Sequence, residues 1–208
     1  MCLSNETLSL FRLCNNIISA ADAANSTFDG EENPPHSDRM VKWNNRNHQD
    51  YILNVDGSCI GTPPCTGYGG VLCNSARFFI SGFSGFISNS TDILLAELTA
   101  IYQGLKLVMG LNTNEIMCYS DSLLAVNLIA NDTPRYHIYA VLIQNIKDLL
   151  NDRNISLHHT LREGNQCTDF FAKVGANSDA ELVIHHSPPA DLLPLLRADA
   201  LGTYFVRS

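Results

Sequence analysis

Four acidic residues, Asp56, Glu97, Asp121 and Asp169, each lie inside or at the end of a hydrophobic segment. No other feature restricts the fold of this chain as tightly. A folded protein does not bury four like charges without a counter-charge, because each desolvated carboxylate is driven to take up a proton. Either the four stay at solvated element ends, or the fold gathers them around cations. Hard divalent cations are the natural partners of carboxylate oxygens, and a pair of such ions supports phosphodiester cleavage.

The segments around these acids define the architecture. Residues 51–56 (Tyr-Ile-Leu-Asn-Val-Asp) read as a strand ending on an acid, followed by a turn-rich loop from Gly57 to Gly67. Tyr68 to Cys73 and Arg77 to Phe83 read as two strands joined by the hairpin signal Asn74-Ser75-Ala76. Ser90-Thr91-Asp92 caps a helix that carries Leu94, Leu98, Ile101, Leu105 and Val108 at helical spacing. A strand from Ile116 to Tyr119, helices over Leu123–Ile129 and around Tyr139–Leu149, a strand from Ile155 to Thr160 and a helix from Gln166 to Val174 follow. The order βββαβααβα implies an α/β fold: a mixed five-stranded sheet flanked by helices.

Three regions result. Residues 1–50 hold an amphipathic helical stretch (Leu8, Phe11, Ile17, Ile18) and a polar, proline-containing linker. Residues 51–176 form the core domain. Residues 177–208 form a tail with a short helix from Leu192 to Leu201, capped by Asp191 and stopped by Gly202. No run approaches the roughly 18 apolar residues of a membrane span, so no membrane partner is expected. The seven cysteines are odd in number and scattered, without C-x-x-C, as in reduced intracellular proteins. The net charge of −8 argues against a broad electrostatic grip on nucleic acid but not against a metal-dependent nuclease, since bound cations reverse the local sign.

Each acid also has a plainer reading. Asp56 precedes Gly57, a common turn pair. Glu97 lies one turn from Leu94 and Ile101 and could snorkel at the helix edge. Asp121 could be a helix N-cap, and Asp169 a first-turn acid that suits the helix dipole. Taken singly these readings compete well; four acids at these element ends are harder to dismiss together.

The residues around the acids carry a resemblance. Val55-Asp56-Gly57-Ser58, Gly67-Tyr68-Gly69-Gly70-Val71, Ala96-Glu97-Leu98-Thr99-Ala100, Tyr119-Ser120-Asp121-Ser122 and Arg162-Glu163-Gly164-Asn165 with Asp169-x-x-Ala172-Lys173 occur in order. Their order and spacing resemble the type 1 ribonuclease H family, most closely the plant version that accompanies non-LTR retroelement reverse transcriptases. The resemblance covers roughly residues 51–176, and it implies a ribonuclease H-like fold. It maps Asp56, Glu97, Asp121 and Asp169 onto the family's four metal-binding acids. His159, ten residues ahead of Asp169, matches the family's histidine, with His158 its neighbour.

The function implied is endonucleolytic hydrolysis of the RNA strand of RNA/DNA hybrids, by a monomer using two Mg²⁺ ions, with Mn²⁺ as a substitute. The alternative is a non-catalytic relic of a retroelement that binds nucleic acid or protein; a 3′–5′ exonuclease of the same superfold is a further rival. Departures from the family pattern are Gly61-Thr62-Pro63-Pro64 in the first loop, Thr168 where alanine is usual, and bulky Phe170-Phe171. A reverse transcriptase domain does not fit in the first 50 residues, so a free-standing fragment of a larger element is expected. An intracellular location, nucleus or cytoplasm, is expected, although no nuclear localisation cluster is visible.

Overall fold

The computed structural model describes residues 40–41, 51–111, 113, 115–134, 136–152, 154–200 and 205–206. The chain divides into units Met1–Asp38 and Arg39–Ser208. The amphipathic stretch at 8–18, the linker that follows it and Gly202 lie outside the described residues.

Strands β1 (Met40–Val41) and β8 (Phe205–Val206) pair antiparallel as a separate ribbon. The main sheet contains β2 (Tyr51–Ile60), β3 (Cys65–Asn74), β4 (Phe79–Ile87), β5 (Ile116–Ser120), β6 (Ile155–His159) and β7 (Val183–His185). Their spatial order is β6-β5-β2-β3-β4-β7. The β2–β3 and β3–β4 pairs are antiparallel hairpins, whereas β5 and β6 join parallel to β2. The helices are α1 (Ile93–Val108), α2 (Leu123–Ala130), α3 (Ala140–Asp152), α4 (Gln166–Ala176) and α5 (Leu193–Ala200). Among the described residues, no helix is long and apolar enough to cross a membrane.

The sequence order βββαβααβα is present, with two differences. The tail contributes a sixth strand, β7, paired antiparallel with β4. Strand β2 also does not end at Asp56: it continues to Ile60, with Asp56 in register with Gly69, and the turn is confined to Gly61–Pro64. Gly67 reads as a loop residue, and Gly69 and Gly70 lie in the expected strand Tyr68–Cys73; here all three let other elements approach the sheet closely. A Cβ on Gly69 would come within 2.5 Å of the main chain of α4 at Ala172 and Phe171.

Strand alternation sends the apolar side chains to two cores. Leu53, Val55, Ile116 and Cys118 face α1, α2 and α3, where they meet Leu98, Ile101, Leu105, Ile129, Ile143 and Ile146. Ile52, Val71, Met117 and Tyr119 face α4 and the tail, where they meet Cys167, Phe171 and Leu192. The bulk of Phe171 fits because Gly82 opposes its ring; a Cβ there would sit 2.6 Å from the ring edge. Helix α1 starts where expected: the Asp92 carboxylate accepts the Leu94 and Leu95 amides at 2.8 and 3.3 Å.

Candidate active site

Strands β2 and β5 run parallel through the centre of the sheet, and their last shared rung is Val55 opposite Ser120. Beyond it β5 ends, and Asp121 leaves the sheet beside Asp56. Diverging strand ends of this kind are where α/β sheets place their sites. Ser122, not Asp121, caps α2, its hydroxyl accepting the Ala125 amide at 3.3 Å. The N-cap reading of Asp121 therefore falls, and its carboxylate is free for another role.

Helix α1 supplies the third acid. It packs against β2 at Gly57, where a Cβ would lie 2.6 Å from the Glu97 nitrogen and 2.8 Å from the Ala96 carbonyl carbon. Only glycine permits that approach without a backbone shift. The same contact lets Gly57 N–H donate to Glu97 Oε2 at 3.2 Å, drawing the side chain inward. Glu97 is 8% exposed and Asp56 3%, so neither is a snorkelling or turn residue.

Asp56, Glu97 and Asp121 converge: each offers a carboxylate oxygen, and these oxygens all lie within 4.8 Å of one another. Such proximity of like charges in a desolvated place has a direct consequence. Burial, then Asp121, Glu97 and Asp169 in turn, push the Asp56 carboxyl up to about 10. Burial and Asp121 push Glu97 up to about 8, against the Gly57 amide and the charge of Arg162. Asp121 Oδ1 is buried without a hydrogen-bond partner in the protein. A hard cation answers all three observations at once, and three carboxylates form an oxygen donor set that suits Mg²⁺.

Asp169 and His159 stand outside this group of three. Asp169 sits in the first turn of α4, and Lys173 one turn on donates to its Oδ2 at 2.6 Å. Its charge still reaches Asp56. His159 is the last residue of β6, exposed and in register with Ser120, one residue before Asp121. Its neighbour His158 packs its ring on Tyr119, with centroids 5.7 Å apart.

Sequence reasoning assigned no role to Asn165. It is 2% exposed and donates from Nδ2 to the Val55 carbonyl at 3.0 Å, across 110 residues. It entered only as the last residue of the Arg162-Glu163-Gly164-Asn165 motif.

The sheet order, flanking helices and acids within β2 and just past the end of β5 define a ribonuclease H-like fold. The chain belongs to the family described as reverse transcriptase-like, whose profile matches residues 54–175. It is 25% identical over 170 residues to an Arabidopsis thaliana protein named "Putative ribonuclease H protein", covering 81% of this chain and 27% of that one. The chain thus spans 27% of the length of that relative.

Among solved structures, the N-terminal RNase H domain of a Mycobacterium tuberculosis protein superposes with a TM-score of 0.54 at 22% identity, over 61% of this chain and 93% of that one. RNase H1 of Halobacterium salinarum gives 0.53 at 22%, over 60% and 96%. LC11-RNase H1 in complex with an RNA/DNA hybrid gives 0.54 at 23%, over 61% and 96%. At these identities the likeness is one of fold.

Proposed function

We propose that this chain hydrolyses the RNA strand of RNA/DNA hybrids at internal positions, using two divalent cations. The convergence of Asp56, Glu97 and Asp121, with a buried Asp121 oxygen awaiting a partner, carries this reading. The name of the Arabidopsis relative and the hybrid bound to LC11-RNase H1 support the choice of substrate.

Asp56, on the central strand, would be the carboxylate shared in holding the ions. Glu97 and Asp121 would hold a cation with it, and Asp169 of α4 would supply the further carboxylate for a second. Bound ions supply a more acidic attacking water and neutralise charge at the phosphate. Mg²⁺ is the expected ion, with Mn²⁺ as a substitute, because the donors are hard oxygens. His159, exposed at the end of β6, would carry a proton between the site and solvent or assist product release. Main-chain groups near Gly57 and Glu97 are the candidates to contact the 2′-hydroxyls by which RNA would be told from DNA.

The net charge of −8 favours a second reading, a non-catalytic relic of a retroelement. Cleavage of an end-labelled RNA/DNA hybrid with Mg²⁺ separates the two. Internal RNA cuts that disappear in Asp121→Asn support the hydrolase. No cleavage, together with no thermal stabilisation by Mg²⁺, overturns it in favour of the relic.

A further inference from the structure

Asn165 occupies the N-cap of α4, yet its side chain makes no capping hydrogen bond. Asparagine is preferred at this position because its side-chain oxygen takes a free amide of the first turn. Here the side chain reaches across to β2 instead. Nδ2 donates to the Val55 carbonyl at 3.0 Å in a fully buried setting. The opposite amide orientation would set Oδ1 against that carbonyl, acceptor to acceptor, so the donor assignment follows from the geometry. A cavity of about 10 Å³ beside Asn165 has room for about one water.

Val55 is the last residue of β2 in register with β5, at the rung where the two strands part and the acids emerge. Its carbonyl and the Asp56 N–H belong to one rigid peptide plane. A hydrogen bond at the Val55 oxygen therefore fixes the orientation of the unit that carries Asp56. The main chain of Asn165 acts on the fourth acid at the same time. Its carbonyl accepts the Thr168 hydroxyl at 2.6 Å and the Asp169 amide at 3.1 Å. One residue thus joins the peptide leading into Asp56 to the helical turn that bears Asp169.

We propose that Asn165 is a positioning residue: it holds the Asp56 carboxylate in the cluster and sets its distance from Asp169. The proposal rests on the hydrolase reading for its consequence in catalysis, but not for its geometry. Glu97 has its own anchor in the Gly57 amide. Asp56, whose carboxylate oxygen lies within 4.8 Å of those of both Glu97 and Asp121, needs one too to stay in so crowded a group.

The test compares Asn165→Ala and Asn165→Asp with the wild type and with Ile146→Val, a variant in the core between the sheet and α1–α3. Asn165→Asp preserves shape while replacing the donor by an acceptor, and it serves if the alanine variant does not fold. The readouts are the Mg²⁺ concentration at half-maximal thermal stabilisation and the split between kcat and KM on hybrid.

A positioning role predicts a Mg²⁺ midpoint raised on the order of 10-fold, the range for losing an outer-shell partner. It also predicts a fall in kcat with KM for the hybrid unchanged, since Asn165 is buried. Ile146→Val should lower the melting temperature and leave the midpoint alone. A midpoint in both Asn165 variants within about twofold of wild type overturns the proposal. If the wild type itself gains nothing from Mg²⁺, the hydrolase reading falls separately. The metal-free crystal structure of the variant then decides. Asp56 displaced from the 4.8 Å cluster supports positioning, and an unchanged cluster overturns it.

Discussion

Two buried acidic places in this protein differ in how their charge is met. Asp199, on the tail helix α5, is 8% exposed, as is Glu97. Its Oδ2 accepts the Cys167 thiol at 3.0 Å, its main-chain oxygen accepts Arg77 Nη1, and the guanidinium charge draws its pKa back against the burial that raises it. In the cluster of Asp56, Glu97 and Asp121, three acids crowd together, and one Asp121 oxygen has no partner. A buried acid supplied with donors and a counter-charge is a fastening. Buried acids left short of both are a place for something else to bind.

The largest test of that contrast exchanges one acid in each place. Asp121→Asn should reduce hybrid cleavage by more than about 100-fold, beyond the usual loss from an outer-shell partner. It should raise the melting temperature of the metal-free protein, because a like charge has gone. Asp199→Ala should do the reverse: activity per folded molecule within about twofold, and a stability loss of about 1–3 kcal/mol from stranding the Cys167 thiol and taking the counter-charge from Arg77, whose bond to the main-chain oxygen of residue 199 remains. Denaturant titrations and initial rates on the two purified variants decide. Equal stability losses at both places would erase the distinction.

Gly57→Ala comes next. The new Cβ would press on the main chain of Ala96 and Glu97, which no rotamer change can relieve. Overpacking of this kind costs about 1–3 kcal/mol, and here it also shifts Glu97, so urea midpoint and Mg²⁺ affinity should fall together. A variant with wild-type Mg²⁺ affinity would show that the α1–β2 contact does not place Glu97.

The pH dependence of metal-free stability sharpens the same comparison. Asp56 and Glu97 are raised from 3.8 and 4.5 to about 10 and about 8. Their protonated forms favour the fold, so this contribution is fully present below about pH 4. It is lost as pH rises through the folded values, where the native state binds more protons than the unfolded one. Melting temperature without metal should therefore decline toward alkaline pH, and Asp56→Asn should flatten the decline. Mg²⁺ binding must displace those protons, so its affinity should climb over the same range. A flat profile in the wild type would mean that the acids are solvated.

Much of this was legible in the sequence, for stated reasons. Helices α1 and α4 follow from 3.6-residue periodicity and from the Asp92 cap. The acids stood out because Asp56, Glu97 and Asp121 interrupt apolar runs. The passage of β2 through Asp56 was hidden by Gly57 and Gly67, which read as loop residues until their contacts with α1 and α4 are known. Strand β7 is three residues long and owes its conformation to pairing with β4, a long-range cause without local periodicity. Asp199 lay in an ordinary polar helix pattern, and only the docking of α5 buries it. Asn165 drew no role because the recipient of its amide lies 110 residues away.

Asp169 falls between the two kinds of acid, and the smallest prediction concerns it. Its Oδ2 takes Lys173 Nζ at 2.6 Å, an i,i+4 pair with side chains 52% and 27% exposed for Lys173 and Asp169. A pair this exposed contributes about 0.3–0.5 kcal/mol to stability. If Asp169 helps to hold a cation, Lys173 competes with that cation for the same oxygen. Lys173→Ala should then cost the helix its few tenths of a kcal/mol and lower the Mg²⁺ midpoint by roughly twofold, the same energy returned to binding. If Asp169 is only a first-turn acid that steadies α4, the stability loss appears and the midpoint stays still. That outcome would place Asp169 with Asp199 among the fastened acids and reduce the cation site to the three carboxylates of β2, α1 and the β5 end.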